Sequence, residues 1–119
     1  MRADNQILID SKAFALRIIK LYKFLKEEQQ VYVLSKQILR SGTSIGANVR
    51  ESVNAQSRMD FINKLNIALK EANETEYWLE LLHESDILEE KLFESIYDDC
   101  KKIVATLTKI IKTAKGSVK

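Results

Sequence analysis

The sequence predicts an all-α protein, an antiparallel up-down-up-down four-helix bundle. Apolar residues recur at spacings of three and four over four long segments, which is the period of an amphipathic helix. No alternating strand pattern competes with them over a useful length, and the 119 residues include no proline. The connections between the segments are short, so consecutive helices are expected to run antiparallel.

The first predicted helix runs from about Asp10 to Glu28, and either Asp10 or Ser11 is available as its N-cap. Residues around Gln29 and Gln30 make a short connection to the next helix. Apolar residues at spacings of four, three and four mark the inward face: Phe14, Ile18, Leu21 and Leu25.

The second predicted helix runs from about Val33 to Ala55 and contains Gly42 and Gly46. Each interior glycine costs a helix about 1 kcal/mol relative to alanine, so the pair indicates a close approach to a neighbour or a bend. We predict a kink near Gly42–Gly46. The alternatives are a real break at residues 41–44, with Ser44 capping a new helix, and a phosphate-binding turn, whose spacing does not match a P-loop. The inward face carries Leu34, Ile38, Ile45 and Val49.

The third predicted helix begins after Ser57, a suitable N-cap, and ends near His83; the fourth runs from about Glu89 to Lys115, where Gly116 is placed to end it. Both helices carry an apolar stripe for the core. Other apolar residues lie off the main faces and form either a second surface for self-association or a wider core: Leu16, Ile19, Ile62, Leu69, Tyr77, Trp78 and Ile111.

Length and composition predict a single globular domain over residues 1–119, since 45% of the residues are hydrophobic and 30% are charged. No apolar run approaches the roughly 20 residues of a membrane-spanning helix. The first six residues show neither a signal-peptide nor a transit-peptide pattern, so we expect a cytosolic protein without a membrane partner. The only cysteine, Cys100, is expected to be a small buried apolar residue.

Charge is strongly segregated along the chain, although the net charge is only +2. Residues 59–99 contain three Lys or Arg against twelve Asp or Glu, whereas residues 100–119 contain six against none. Basic residues repeat every third position in the first and fourth helices, where they could contact phosphates: Arg17, Lys20, Lys23, Lys26, Lys109, Lys112 and Lys115. The competing interpretation is a solvated polar face whose lysines offset the acidic third helix.

Polar residues on the second helix favour a structural role. Arg40 neighbours inward-facing positions, so we expect an internal ion pair with a carboxylate from Glu51, Glu74 or Glu76. Small polar side chains nearby could bond to backbone carbonyls that a kink exposes: Ser41, Thr43, Ser44 and Asn48.

The sequence does not favour an enzyme, a metal site or a bound cofactor. Glu80 and His83 match the Glu-x-x-His motif of di-iron bundles, but that site needs a second such pair and His83 is the only histidine. A symmetric dimer could in principle build the site from two copies of the motif together with Glu84 or Glu76. A single Glu-x-x-His motif on an acidic helix is not sufficient evidence for such a site. Serine or cysteine nucleophile patterns are also missing from the sequence.

The second helix resembles a known family in the residues Leu39-Arg40-Ser41, Ser44-Ile45-Gly46-Ala47-Asn48-Val49 and Glu51. The similarity continues through Phe61, Leu65, Ile67-Ala68-Leu69, Glu74 and Glu76. This is the four-helix bundle protein family, encoded by intervening sequences in bacterial 23S rRNA genes or by stand-alone genes, and the accessory protein of diversity-generating retroelements is similar to it. Gly46 stands where the family usually has proline, and Ser52 where glycine is common.

The resemblance implies a homo-oligomer, often a pentamer, that acts with RNA, DNA or a nucleic-acid enzyme. Together with the charge pattern, it favours a non-enzymatic, cytoplasmic bundle that binds nucleic acid or a nucleic-acid-handling protein through basic faces of the first and fourth helices. The alternative is a protein-interaction scaffold that does not bind nucleic acid. The sequence identifies neither the type of nucleic acid nor the biological process.

Overall fold

The computed structural model describes residues 5–116, which form four α-helices and contain no strand. Their bounds are α1, Asn5–Glu27; α2, Val33–Val53; α3, Arg58–Glu84; and α4, Glu90–Gly116. The predicted all-α four-helix bundle is confirmed, with dimensions of 49 × 20 × 20 Å. No helix within residues 5–116 is both long and apolar enough to cross a membrane.

Helix boundaries agree with the sequence except at the start of α1. Helix α1 begins at Asn5, so the predicted caps Asp10 and Ser11 are wrong. Ser11 is instead buried, and its hydroxyl donates to the Leu8 carbonyl at 3.4 Å. The Ser57 cap of α3 is confirmed, because its hydroxyl oxygen accepts from the Asp60 N–H at 3.0 Å.

The helices follow one another around the bundle, so α1 packs on α2 and α4, while α3 packs on α2 and α4. The diagonal partners α1 and α3 have no Cα atoms within 8 Å of each other, and α1 approaches α4 over a shorter length than the other neighbouring helices approach one another. We call the end with the 28–32 and 85–89 connections the two-loop end, and the end with Asn5, Gly116 and the 54–57 connection the terminal end.

Some apolar residues that the sequence placed off the main faces belong to the core. Ile62 and Ile111 are buried, so they widen the core instead of forming a second surface. Leu69 and Trp78 are half-buried against it. The other three remain exposed: Leu16, Ile19 and Tyr77.

Helix α2 runs without interruption through both glycines, so the alternative of a break at residues 41–44 is wrong. The glycines permit a close approach to α1. A Cβ atom on Gly42 would lie 2.7 Å from Cγ1 of Ile18, and one on Gly46 would lie 3.2 Å from the Ser11 carbonyl oxygen. Neither glycine has a positive φ angle. Glycine is therefore needed at these two positions because it has no side chain, and not because it can adopt a special backbone conformation.

Polar side chains of α2 bond to carbonyls one turn earlier in the same helix. Thr43 Oγ1 donates to the Leu39 carbonyl at 2.7 Å and Ser44 Oγ to the Arg40 carbonyl at 2.6 Å. Asn48 Nδ2 donates to the Ser44 carbonyl at 2.9 Å. Such bonds often bend helices. The hydrogen bonds from Thr43, Ser44 and Asn48 to backbone carbonyls are the ones that the sequence led us to expect. The kink itself stays a prediction.

Replacing Gly42 by alanine should destabilise the bundle. The new Cβ would crowd buried, β-branched Ile18, and overpacking of this kind costs about 1–3 kcal/mol, which exceeds the gain in helix propensity of about 1 kcal/mol. We expect a lower free energy of unfolding in urea denaturation followed by circular dichroism.

Two controls isolate the contact. Gly116→Ala has no heavy atom within 4 Å of the new Cβ and should not destabilise the protein. In an Ile18→Ala background Cγ1 and Cγ2 are gone and only the Cβ remains, 3.2 Å from the new Cβ on residue 42. Gly42→Ala should therefore destabilise the protein much less in that background. A destabilisation that is equal in both backgrounds would contradict the packing explanation.

Candidate nucleic-acid interface

Arg17, the first residue of the basic series on α1, bonds to α4 within the same chain. Its Nη1 lies 2.8 Å from Asp99 Oδ2, and its Nη2 donates to Ser95 Oγ at 2.7 Å. Both partners project from α4, so Arg17 links α1 to α4. These two helices pack less extensively than the other neighbouring pairs. Its role here is to close the bundle, and its guanidinium is occupied by protein groups.

The remaining basic residues of the series, Lys20, Lys23 and Lys26, are exposed. Within residues 5–116, no carboxylate lies within 4.0 Å of their ammonium groups. Lys26 Nζ lies 5.8 Å from the centroid of the Tyr22 ring. Three residues fall about 60° short of a full helical turn, so the three lysines spread around α1 and do not form a straight line.

The basic residues of α4, Lys109, Lys112 and Lys115, are also exposed and lack a carboxylate partner among the described residues. They lie toward the terminal end of the bundle. The antiparallel topology places the α1 lysines toward the two-loop end. Arg17 on α1 and Asp99 on α4 lie at the same height along the bundle axis, because they form an ion pair. From that height Lys23 lies toward one end and Lys112 toward the other. At 1.5 Å per residue, the two lysines are about 30 Å apart along the axis.

The two basic groups have different electrostatic surroundings. The α1 lysines share the two-loop end with the acidic end of α3 and start of α4, which carry Glu84, Asp86, Glu89, Glu90 and Glu94. The α4 lysines share the terminal end with four basic residues, Lys12, Arg50, Arg58 and Lys64, and with three acidic ones, Asp10, Glu51 and Asp60. No acidic residue follows Asp99 in the chain. The sequence-predicted site residues therefore form two groups on one chain, of which the α4 group has the more positive surroundings.

Arg40 forms its ion pairs with α3. Its Nη1 lies 3.2 Å from Glu71 Oε1, and its Nη2 pairs with Glu74 Oε2. Glu74 also accepts from Trp78 Nε1 at 3.1 Å. The expected ion pair with Glu74 is therefore present. The Arg40 side chain is 50% exposed, so the pair lies at the surface between α2 and α3 and not in the interior.

The other two carboxylates expected at Arg40 pair elsewhere. Glu51 lies 2.9 Å from Lys64 Nζ, and its hydrogen bond raises the pKa of that lysine. Glu76 faces α4, where its Oε2 lies 3.7 Å from Lys101 Nζ and accepts no hydrogen bond within the described residues. Sequence reasoning missed Glu71, which lies one turn before Glu74 on the same side of α3.

The Glu-x-x-His motif is divided between separate partners. Glu80 accepts from the Tyr97 hydroxyl at 2.6 Å, and this bond raises the pKa of Tyr97. His83 bonds to Glu90 at 2.8 Å, and its ring stacks on Phe93 with centroids 4.0 Å apart. Residues 5–116 contain no group of three histidine, cysteine or carboxylate side chains placed to hold a metal ion.

A groove between α1 and α2 near the terminal end is a feature that the sequence did not indicate. Its volume is about 560 Å³. Ala15, Gly46 and Ala47 leave it open because their side chains are small, while Lys12 and Arg50 add positive charge to its lining. The groove has no acidic lining residue, and the two cations have no carboxylate partner within the described chain.

Fold and site together define a class of protein: an antiparallel four-helix bundle with a closely packed first helix pair and two separate groups of exposed lysines. The sequence model of the 23S rRNA-intervening sequence proteins matches residues 3–109. The chain belongs to this family, as the motif of α2 indicated.

A crystal structure from Bacteroides thetaiotaomicron VPI-5482 is similar to this chain. It is a protein with unknown function from the S23 ribosomal protein family, with 61% sequence identity and a TM-score of 0.90. The match covers 91% of this chain and 96% of that one. No curated protein matches the sequence.

Cys100 should be unreactive in the folded protein. Its side chain is buried, its Sγ lies 3.4 Å from the Ala72 carbonyl oxygen, and burial raises its pKa to about 12. Because the thiolate is the reactive species, we expect a disulfide reagent at pH 8 to label native protein at least about a hundredfold more slowly than protein in guanidinium. Rapid labelling of the native state would contradict the buried position, and Cys100→Ser provides the background rate.

Proposed function

We propose that this protein is a non-enzymatic, homo-oligomeric helical bundle that binds nucleic acid, or a protein that handles nucleic acid, through basic faces of α1 and α4. The exposed lysines of α4 carry the proposal. Lys109, Lys112 and Lys115 have no carboxylate partner among the described residues, and residues 100–119 contain no acidic side chain. Cations that are not neutralised by the protein remain available to phosphates.

The α1 lysines form a second group in this proposal. Lys20, Lys23 and Lys26 are exposed and unpaired in the described chain, and Phe24, with 38% of its surface exposed, lies among them. An aromatic ring beside lysines suits a single strand, since bases stack on rings while ammonium groups meet phosphates. The nearby acidic residues weaken the attraction of this group, so we rank it below the α4 group.

Family membership supports a role near RNA without defining it. The family takes its name from intervening sequences of 23S rRNA, and the similar B. thetaiotaomicron protein is described as having unknown function. We extend the family resemblance to self-association, with a pentamer as the expected form. The proposal includes a cytosolic location, which an unpaired cysteine suits.

A protein-interaction scaffold is the second candidate. The separation of the two lysine groups favours it, because about 30 Å along the axis prevents them from forming one continuous patch on a single chain. In this alternative the α1 lysines offset the acidic residues at the two-loop end.

Charge reversal on α4 tests nucleic-acid binding. We expect Lys109→Glu with Lys112→Glu to weaken binding of a labelled RNA or DNA oligonucleotide, because each change removes one phosphate contact. The slope of log affinity against log salt should fall by about two. Fluorescence anisotropy over a salt series measures both quantities.

Lys91→Glu is the matched control, since Lys91 is an exposed lysine on α4 that lies at the acidic two-loop end. It should change the salt slope by much less than the α4 pair. Lys23→Glu with Lys26→Glu measures the share of α1 in the same assay. Binding that none of these variants changes, or wild-type protein that binds neither RNA nor DNA, would contradict the nucleic-acid proposal and favour the scaffold.

A further inference from the structure

The exposed aromatic rings all lie in the half of the bundle nearer the two-loop end. Phe24 and Tyr32, which are 38% and 55% exposed, lie near the end of α1 and in the connection that follows it. Tyr77, which is 54% exposed, lies seven residues before the end of α3. The two aromatic residues of the other half, Phe14 and Phe61, are buried. The α4 lysines therefore have no exposed ring beside them.

The absence of a ring decides which form of nucleic acid a lysine group favours. Stacking of an unpaired base on a ring contributes about tenfold or more to the affinity of a single strand. Bases in a duplex already stack on one another and gain nothing from the ring. A duplex carries one charge per about 1.7 Å, against about 3.4 Å for one strand, and its binding releases more counterions per phosphate contact. Lysines without a ring therefore favour the duplex.

The α4 lysines are spread over a surface wide enough to meet two strands. Steps of three residues each fall about 60° short of a full turn, so Lys109, Lys112 and Lys115 cover about 120° of α4 over about 9 Å of its length. On a helix about 11 Å across, the first and last of these side chains lie about 13 Å apart. The major groove of B-DNA is about 12 Å wide. Lys109 and Lys115 can therefore meet phosphates on opposite sides of a groove.

The acidic residues of the terminal end have other partners. Glu51 lies 2.9 Å from Lys64 Nζ, and Asp10 accepts from the Gln6 side chain at 2.8 Å. Asp60 accepts from a backbone N–H just before α3 at 3.4 Å. Within residues 5–116, none of these carboxylates lies within 4.0 Å of an α4 lysine ammonium group. The α4 lysines thus keep their charge available for a densely charged ligand.

We infer that the α4 lysines bind the phosphates of a nucleic-acid duplex, on both sides of a groove and independently of sequence, whereas a single strand binds at the α1 lysines and Phe24. The inference rests on the proposed nucleic-acid binding and names the form of nucleic acid that each group takes. Contacts to phosphates alone carry no sequence information. The α1 group has an exposed ring, and the acidic residues of the two-loop end oppose a duplex more than a single strand.

Charge-reversed variants of each group separate the two forms. Fluorescence anisotropy over a salt series compares a labelled duplex with one of its strands, chosen not to fold on itself, first in DNA and then in RNA. We expect Lys109→Glu with Lys112→Glu to lower the salt slope for a duplex by about two and to leave most of the single-strand affinity. Lys23→Glu with Lys26→Glu should do the reverse. Loss of duplex binding in either series supports the inference and identifies the nucleic acid.

A ring placed among the α4 lysines tests the reason for the preference. Ala105 is exposed and lies four residues before Lys109, on the same side of α4. We expect Ala105→Trp to raise the single-strand affinity about tenfold and to change the duplex affinity much less. Ala105→Leu is the matched control, because it adds an apolar side chain without a ring and should change neither. Circular dichroism checks that every variant remains helical.

Other outcomes separate this inference from the proposed function. If the α4 double variant weakens the duplex and the single strand equally, or weakens only the single strand, the inference is wrong and the proposed nucleic-acid binding stands. Unchanged single-strand affinity in Ala105→Trp would also overturn the inference, since a missing ring would then not explain the preference. Wild-type protein that binds neither form in DNA or RNA would overturn both.

Discussion

The close packing of α2 against α1 is the constraint on which the rest of the structure depends. Ile18 lies where a side chain on Gly42 would be, and the Ser11 carbonyl lies against Gly46. With α2 held in this position, the adjoining side of α2, about 100° around the helix from Gly42, meets α3. There Thr75 Oγ1 lies 2.8 Å from Ser41 Oγ in the buried interior. Each of these buried hydroxyls needs the other as its hydrogen-bond partner. The position of α2 against α1 therefore also determines whether α2 and α3 can form this hydrogen bond.

The topology of the bundle determines where the charged groups lie on the surface. In an antiparallel bundle the ends of α1 and α4 point in opposite directions, so lysines near both C-termini must lie at opposite ends of the molecule. The acidic residues at the end of α3 and the start of α4 then share an end of the bundle with the α1 lysines and not with the α4 lysines. Basic side chains outnumber acidic ones at the terminal end, and no carboxylate lines the α1–α2 groove there.

Helix number, order and most boundaries could be predicted because apolar spacing directly reports which residues are buried. The start of α1 could not, because the buried Ile7 and Ser11 precede or interrupt the clear part of its pattern. The partners of Arg40 depended on rotation of α3 about its axis: Glu71 and Glu74 face α2, whereas Glu76 faces α4. The groove could not be predicted, because it depends on which small side chains of α1 and α2 the packing brings opposite each other. The sequence also did not place the two lysine groups relative to each other, although an antiparallel bundle puts them at opposite ends.

Native mass spectrometry of wild-type protein purified gently at low salt tests the central claim most directly, because one spectrum reports subunit number and retained nucleic acid together. A homo-oligomeric bundle that binds nucleic acid should appear as an assembly of several copies, with additional mass that high salt removes. A monomer without bound nucleic acid would contradict both parts of the account. An assembly free of nucleic acid at every salt concentration would contradict the binding role and leave the scaffold.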